Sequence, residues 1–171
     1  MVQNTDKAIA RLRLFVLLAC ILSGILAGGN VYRYVIEVPA WRHLSIVSWG
    51  EYSRYADLGN GLVLFPAEAI GSFILLMISS VMVFKNRGVF KFVSLSIYSA
   101  TVFALAGLVF TFFAAPIMLS IHTLGNDPEK LQQAFDSFHF WGRLRAGAQI
   151  LSFCSCVWAM GKVSDITIYK E

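Results

Sequence analysis

The sequence predicts an all-α integral membrane protein, a four-helix bundle with a short interfacial helix in its first outer loop. Three observations predict it. Of 171 residues, 57% are hydrophobic and 14% charged, and the mean hydropathy of +0.67 exceeds what a soluble domain needs for its core. The apolar residues gather into four runs, at about 14–36, 62–84, 92–121 and 140–161, each near the roughly 20 residues that a spanning helix requires. Short polar connections take up the rest, so residues 1–171 make one transmembrane domain.

Each element has a local reason. Lys7, Arg11 and Arg13 precede the run Leu14 to Ala27, a pattern shared by a first spanning helix and a secretory signal peptide. The apolar character continues through Val31, Tyr32, Tyr34, Val35 and Ile36, and Gly28-Gly29 is only a loose cleavage site, which favours the spanning helix. Pro39 is expected to close it. In the connection Glu37 to Gly61, Ser48 and Glu51 have capping-box spacing. They predict a short helix running toward Leu58, stopped by Gly59-Asn60-Gly61. Trp41, Trp49, Tyr52 and Tyr55 are amphipathic aromatics that settle at a membrane interface. The second span holds Pro66 and, two turns in, Glu68. Lys85, Arg87, Gly88 and Lys91 form a basic turn into the third span, where Pro116 predicts a kink ahead of His122. Asp127 reads as an N-cap and Pro128 as the first residue of a fourth helix. Unbroken to Met160, that helix is about 50 Å long at 1.5 Å per residue and protrudes beyond the hydrocarbon.

Orientation follows the positive-inside rule. The N-terminal segment, the Lys85 to Lys91 turn and the tail with Lys162 and Lys170 hold eight basic residues, against Arg42, Arg54 and Lys130 in the other loops. Counting Arg33, Arg143 and Arg145 with the outer side gives eight against six. Both termini are therefore expected to be cytoplasmic, in the plasma (inner) membrane of a bacterium. The net charge of +4 forms no separate basic module, so nucleic acid is not an expected partner. Membrane lipid is the expected partner, with an apolar small molecule and a second copy of the chain as candidates. Cys20, Cys154 and Cys156 lie in apolar spans and read as small packing residues rather than a disulfide framework or thiolate zinc site.

Unusual polar residues collect at the outer end of the spans: Asn30, Arg33 and Glu37 on the first, Glu68 on the second, His122 on the third, and His139, Arg143, Arg145 and Gln149 on the fourth. A charge near the bilayer centre costs at least about 2.5–3.5 kcal/mol on insertion scales, so each needs a partner, water or the headgroup layer. Arg33 and Glu37 have i,i+4 spacing, and Glu68 has the depth to meet Arg143 or Arg145. An arginine near a helix end also has the plainer option of snorkelling to the headgroups. His43, His122 and His139 are all predicted on this side. With Glu37 or Glu68 they are candidate ligands for zinc, iron or copper; otherwise His43 and His122 are interfacial and His139 is a polar neighbour of the arginines. Two cofactor states stay open, none and a metal ion. Gly24, Gly28, Gly71, Gly107, Ala146 and Gly147 suit close helix packing. No hydrolase elbow, phosphate loop, Cys-x-x-Cys or dinucleotide fingerprint occurs.

The segments GNVYRYVIEVPAW, YSRYADLGNGLVLFP, APIM and FHFWGRLRAGAQ, in this order over nearly the whole chain, resemble the anthrone-oxygenase-like family of small four-helix membrane proteins, most of which carry only a domain-of-unknown-function label. The resemblance implies oxygen insertion into activated aromatic substrates such as anthrones, without a classical flavin or haem. It matches Trp141 and Arg145 to the family's tryptophan and arginine opening the last helix, and Asn30 with Pro39 to the polar end of the first. Many members have an asparagine shortly before that arginine, where this chain has Gly142 and Arg143.

Two functional classes follow. In the first, an oxygenase or related oxidoreductase acts on an apolar aromatic or lipid-like substrate, with Arg143 or Arg145 stabilising an enolate or phenolate and His122, His139 or Glu68 taking the proton. Asn30, Arg33, Trp141 and Gln149 then serve in substrate binding. In the second, the chain is a noncatalytic membrane subunit or small-molecule binding protein whose ion pairs fix helix register.

Overall fold

The computed structural model describes residues 2–168, with side chains placed for residues 6–165. It is all-helical, without a strand among the described residues. The first helix α1 (Val2–Tyr32) passes through a π-helical segment (Arg33–Glu37) into α2 (Val38–His43). An interfacial helix α3 (Ile46–Tyr55) and a second π-helical segment (Ala56–Asn60) lead to α4 (Gly61–Lys85). One turn of helix, α5 (Arg87–Phe90), precedes α6 (Ser94–Leu124), and α7 (Pro128–Ile168) closes the chain.

Several expectations change. Pro39 does not end the first helix, because it falls in the opening turn of α2, directly after the π turn, where a proline's missing amide and fixed φ are tolerated. Instead of Ser48, the cap of α3 is Ser45, whose extended backbone lets its hydroxyl accept from the Ser48 amide at 3.2 Å. The expected stop at Gly59 is found: its dihedral angles (φ −88°, ψ −118°) are non-helical and separate the turns before it from α4. The third long helix begins at Ser94 rather than Phe92, since α5 occupies the basic turn, and it remains helical through Pro116. The N-cap at Asp127 stands, with Oδ1 accepting from the amides of Glu129 and Lys130 at 3.1 and 3.3 Å. With 41 residues α7 runs past Met160 to Ile168, about 61 Å at 1.5 Å per residue. Lys170, counted above with the inner side, lies outside the described residues.

The long helices pack in the cyclic order α1, α4, α6, α7: α1 touches α4 and α7, and α6 touches α4 and α7. The pairs α1/α6 and α4/α7 face each other across the diagonals. At the end opposite α3, Leu12, Val16, Val83, Phe90, Val93, Ile97 and Val163 are fully buried in one cluster. Midway, Ala19, Leu76, Ala100 and Cys156 meet. Small residues set this approach: a Cβ on Gly24 would lie 3.0 Å from Phe153, on Gly71 3.2 Å from Leu22, and on Gly107 3.1 Å from Gln149. Nothing lies within 4 Å of Gly28 or Gly147 in the same construction. The cysteines are free; Cys156 is buried, whereas Cys154 is exposed.

Outside, the bundle is apolar. Leu14, Ile21 and Ile25 on α1, Ile70, Ile74 and Val81 on α4, and Leu95, Val102 and Phe112 on α6 are all exposed, as lipid-facing helices require. Three helical runs, Asp6–His43, Ile46–Lys85 and Ser94–Leu124, are long and apolar enough to cross a membrane. α7 falls outside that group, because Arg143, Arg145, Gln149 and Lys162 interrupt its apolar stretch.

Candidate functional site

The segment from α2 to the second π-helical stretch folds over one end of the bundle as a cap. Trp49 fixes it, 2% exposed and edge-on to Phe135 of α7 at 5.1 Å, and Leu131 packs against Gly50. Arg54 bonds the cap to the end of α6: Nε donates to the Ile121 carbonyl at 3.3 Å, one terminal nitrogen to Asn126 Oδ1 at 3.0 Å, and the other to the Gly125 carbonyl. The two carbonyls are of the kind that the C-terminus of a helix leaves unbonded.

Beneath the cap, between α1, α4, α6 and α7, lies a cavity of about 460 Å³, a size suited to a small organic ligand. Its walls are mainly apolar, from Leu26, Leu62, Phe65, Ala69, Leu108 and Met118 among others. Part of the wall, at Ile25, Leu62, Leu64, Ile70 and Leu119, is also on the exposed flank of the bundle, so the cavity borders the surface where lipid would lie. Its polar lining comes from every layer: Asn30, Arg33 and Glu37, then Tyr52 and Asp57 of the cap region, Glu68 of α4, and Arg145 and Gln149 of α7.

These groups form two bonded sets and two single charges. Arg33 pairs with Glu37 through Nε at 3.4 Å, as its spacing predicted, and with Asp57. The Tyr52 hydroxyl donates to Glu37 Oε1 at 3.0 Å. This network ties the first π-helical segment to the second, and Asp57 is its unpredicted member. A signal existed in the sequence: Trp49, Ser53 and Asp57 recur every four residues and are all buried. In the second set, Asn30 Nδ2 donates to the Leu26 carbonyl at 2.7 Å and to Gln149 Oε1. Glu68 is 6% exposed, and among the described residues it has no ion-pair or hydrogen-bond partner. Arg145 lies 5.6 Å from the Phe138 ring centroid, with a buried Nε that has no acceptor. The expected pairing of Glu68 with Arg143 or Arg145 does not form, because α4 and α7 are diagonal neighbours.

Other candidate residues are placed apart from the cavity. Arg143 is exposed and its Nε donates to the His139 carbonyl one turn back on the same helix at 3.2 Å. Trp141 stacks on Phe113 with centroids 4.7 Å apart, on the flank of α6. His43 and His122 are exposed. His139 is 5% exposed in a cage of Tyr34, Trp49, Phe135 and Phe138, and neither ring nitrogen has a partner. The three histidines are not brought together, and among the described residues no group of three or more His, Cys, Asp or Glu side chains is arranged to hold a metal ion.

Chemically, then, the cavity offers an apolar volume, a buried carboxyl group and a guanidinium in ion-pair contact with no carboxylate among the described residues. No family model, curated protein or solved structure matches the chain.

Proposed function

We propose that the chain crosses the membrane four times and is an oxidoreductase of the anthrone-oxygenase type, acting on an apolar aromatic or lipid-like molecule that enters the cavity from the bilayer. The observation that carries this reading is the cavity itself: apolar walls reaching the lipid-facing flank, with Glu68 and Arg145 in the lining. The fourth crossing is supported by the packing of α7 along both α1 and α6, and the cap lies on the outer side if the basic α5 turn is cytoplasmic. In this reading Glu68 takes a proton from an activated methylene, and Arg145 holds the enolate or phenolate oxygen that results. The electron-rich carbon then reacts with dioxygen: the methylene becomes a carbonyl, and the second oxygen atom leaves as water with the two methylene hydrogens. Asn30, Arg33 and Gln149 shape the polar end of the site. The test is oxygen consumption by purified protein in liposomes supplied with an anthrone-type substrate. Turnover lost in both Glu68→Gln and Arg145→Met supports the reading, and turnover unchanged in both refutes it.

The Arg33, Glu37, Asp57 and Tyr52 network favours a second reading, a noncatalytic membrane subunit or small-molecule binding protein in which buried ion pairs fix the register of the cap. It predicts that substitutions in the network change folding, with no oxygen uptake to lose.

A further inference from the structure

Most polar groups lining the cavity are already engaged: Arg33 by two carboxylates, Glu37 also by Tyr52, and Asn30 and Gln149 by each other. Glu68 and Arg145 alone among its charged groups lack a hydrogen-bond or ion-pair partner among the described residues, and Arg145 has only the Phe138 ring beside it. They bear opposite charge types and stand on helices that face each other across the bundle diagonal without packing together. The cavity occupies the gap between them. Arg145 Nε is a buried donor left unpaired, which costs about 1–3 kcal/mol, more when charged, and Glu68 is a largely buried carboxyl group without a bond to the protein among the described residues, so a ligand that answers both groups is favoured over one that answers either. Arg145 can only donate, and an ionised Glu68 can only accept.

Resting on the reading of this cavity as a site for molecules from the bilayer, we infer that its ligand is an amphiphile whose polar end carries a hydroxyl beside an anionic or carbonyl oxygen. The oxygen accepts from Arg145 and the hydroxyl donates to Glu68, while the apolar body lies against Leu26, Phe65, Ala69, Leu108 and Met118. A plain fatty acid leaves Glu68 unanswered. A plain alcohol leaves Arg145 unanswered.

The experiment uses the full chain in lipid nanodiscs, tritiated 2-hydroxyhexadecanoate as the probe, and unlabelled hexadecanoate and 1-hexadecanol as competitors, with empty nanodiscs as background. The hydroxy acid binds at least about tenfold more tightly than either competitor, which corresponds to about 1.4 kcal/mol. Its advantage over hexadecanoate disappears in Glu68→Leu, and its advantage over hexadecanol disappears in Arg145→Met. Should a variant fail to fold, the wild-type ranking of the three probes decides by itself. Saturable binding with all three equal to within about threefold overturns the two-point inference and leaves the cavity as a general apolar site. No saturable binding of any probe overturns the inference together with the ligand-site reading.

Discussion

Replacing Asp57 with alanine should loosen the cap without dissolving the bundle. Arg33 is 13% and Asp57 8% exposed at the side chain, so the pair is largely out of water. Removing one member of such a pair costs about 3–5 kcal/mol, chiefly because the remaining charge is left buried. Glu37 stays 3.4 Å from Arg33 Nε and compensates in part, which places the expected loss near the low end, about 3 kcal/mol. Amide hydrogen exchange by mass spectrometry reads this locally: peptides covering α3 and the second π-helical segment should exchange about 100-fold faster, while those covering α4 and α6 should not change. The double variant Arg33→Met, Asp57→Leu removes both charges and supplies apolar volume, and should return to within about tenfold of wild type, since well-packed apolar replacements of buried pairs are nearly neutral. An acceleration under about fivefold for Asp57→Ala, or a double variant as fast as the single, would refute the argument that the ion pair holds the cap.

Four further outcomes are expected. A Cβ at Gly142 would meet the Tyr34 hydroxyl, so Gly142→Ala should cost about 1–3 kcal/mol in thermal or detergent unfolding. Tyr34→Phe should restore it, because that buried hydroxyl has no hydrogen-bond partner and the next ring atom is 3.5 Å away. Arg54→Ala removes three bonds to the end of α6 and should cost about 1–2 kcal/mol, read as faster exchange in peptides over residues 121–127. At Asp127, hydrogen bonds from Lys130 and the Glu129 amide hold the carboxylate below its ordinary pKa. Its folded value lies under the unfolded one, so its stabilising effect is present above the unfolded value of about 3.9 and fades as pH falls through the folded one. Exchange at the start of α7 should therefore quicken at acid pH relative to Asp127→Asn, whose amide caps without titrating. In a background with the native cysteines replaced, Gly88→Cys in α5 and Asn126→Cys in the loop before α7, both exposed positions, should react with a membrane-impermeant thiol reagent from opposite sides, the latter from outside. Labelling from the same side would remove the four-crossing topology.

What could be read from the sequence was local. Four apolar runs, the i,i+4 pair of Arg33 with Glu37 and the Asp127-Pro128 helix start depend on neighbours within one turn or on average composition, and each is found in the structure as a helix, an ion pair or a cap. The order of helices around the bundle is different information. Depth along the chain put Glu68 level with Arg145, yet pairing also requires adjacent helices, and α4 and α7 lie on a diagonal. For the same reason Asp57, 24 residues from Arg33, was invisible as its partner. The face of a helix escaped as well: Trp141 turned toward Phe113, and Arg143 toward the surface, because a helix with apolar residues all round does not announce which side is inside. Asn30, Arg33, Glu68, Arg145 and Gln149 were found at one cavity, whereas His43, His122 and Arg143 were drawn to the surface and His139 into an aromatic cage beside it.

The two π-helical segments make the protein sensitive to chain length rather than residue type. A π turn holds about one residue more than an α turn, so each segment behaves like a single-residue insertion in a longer helix. Deleting one residue from Arg33–Glu37 would let α1 run on as regular helix and leave α2 and the cap near their present bearing, because the wider π turn already absorbs the extra residue. The change would be local: Arg33 and Glu37 would lose their i,i+4 spacing, and with it the joint hold on Asp57 and Tyr52. Homologous chains should therefore change length in the loop at Gly125 or at the α5 turn well before they do so in either segment.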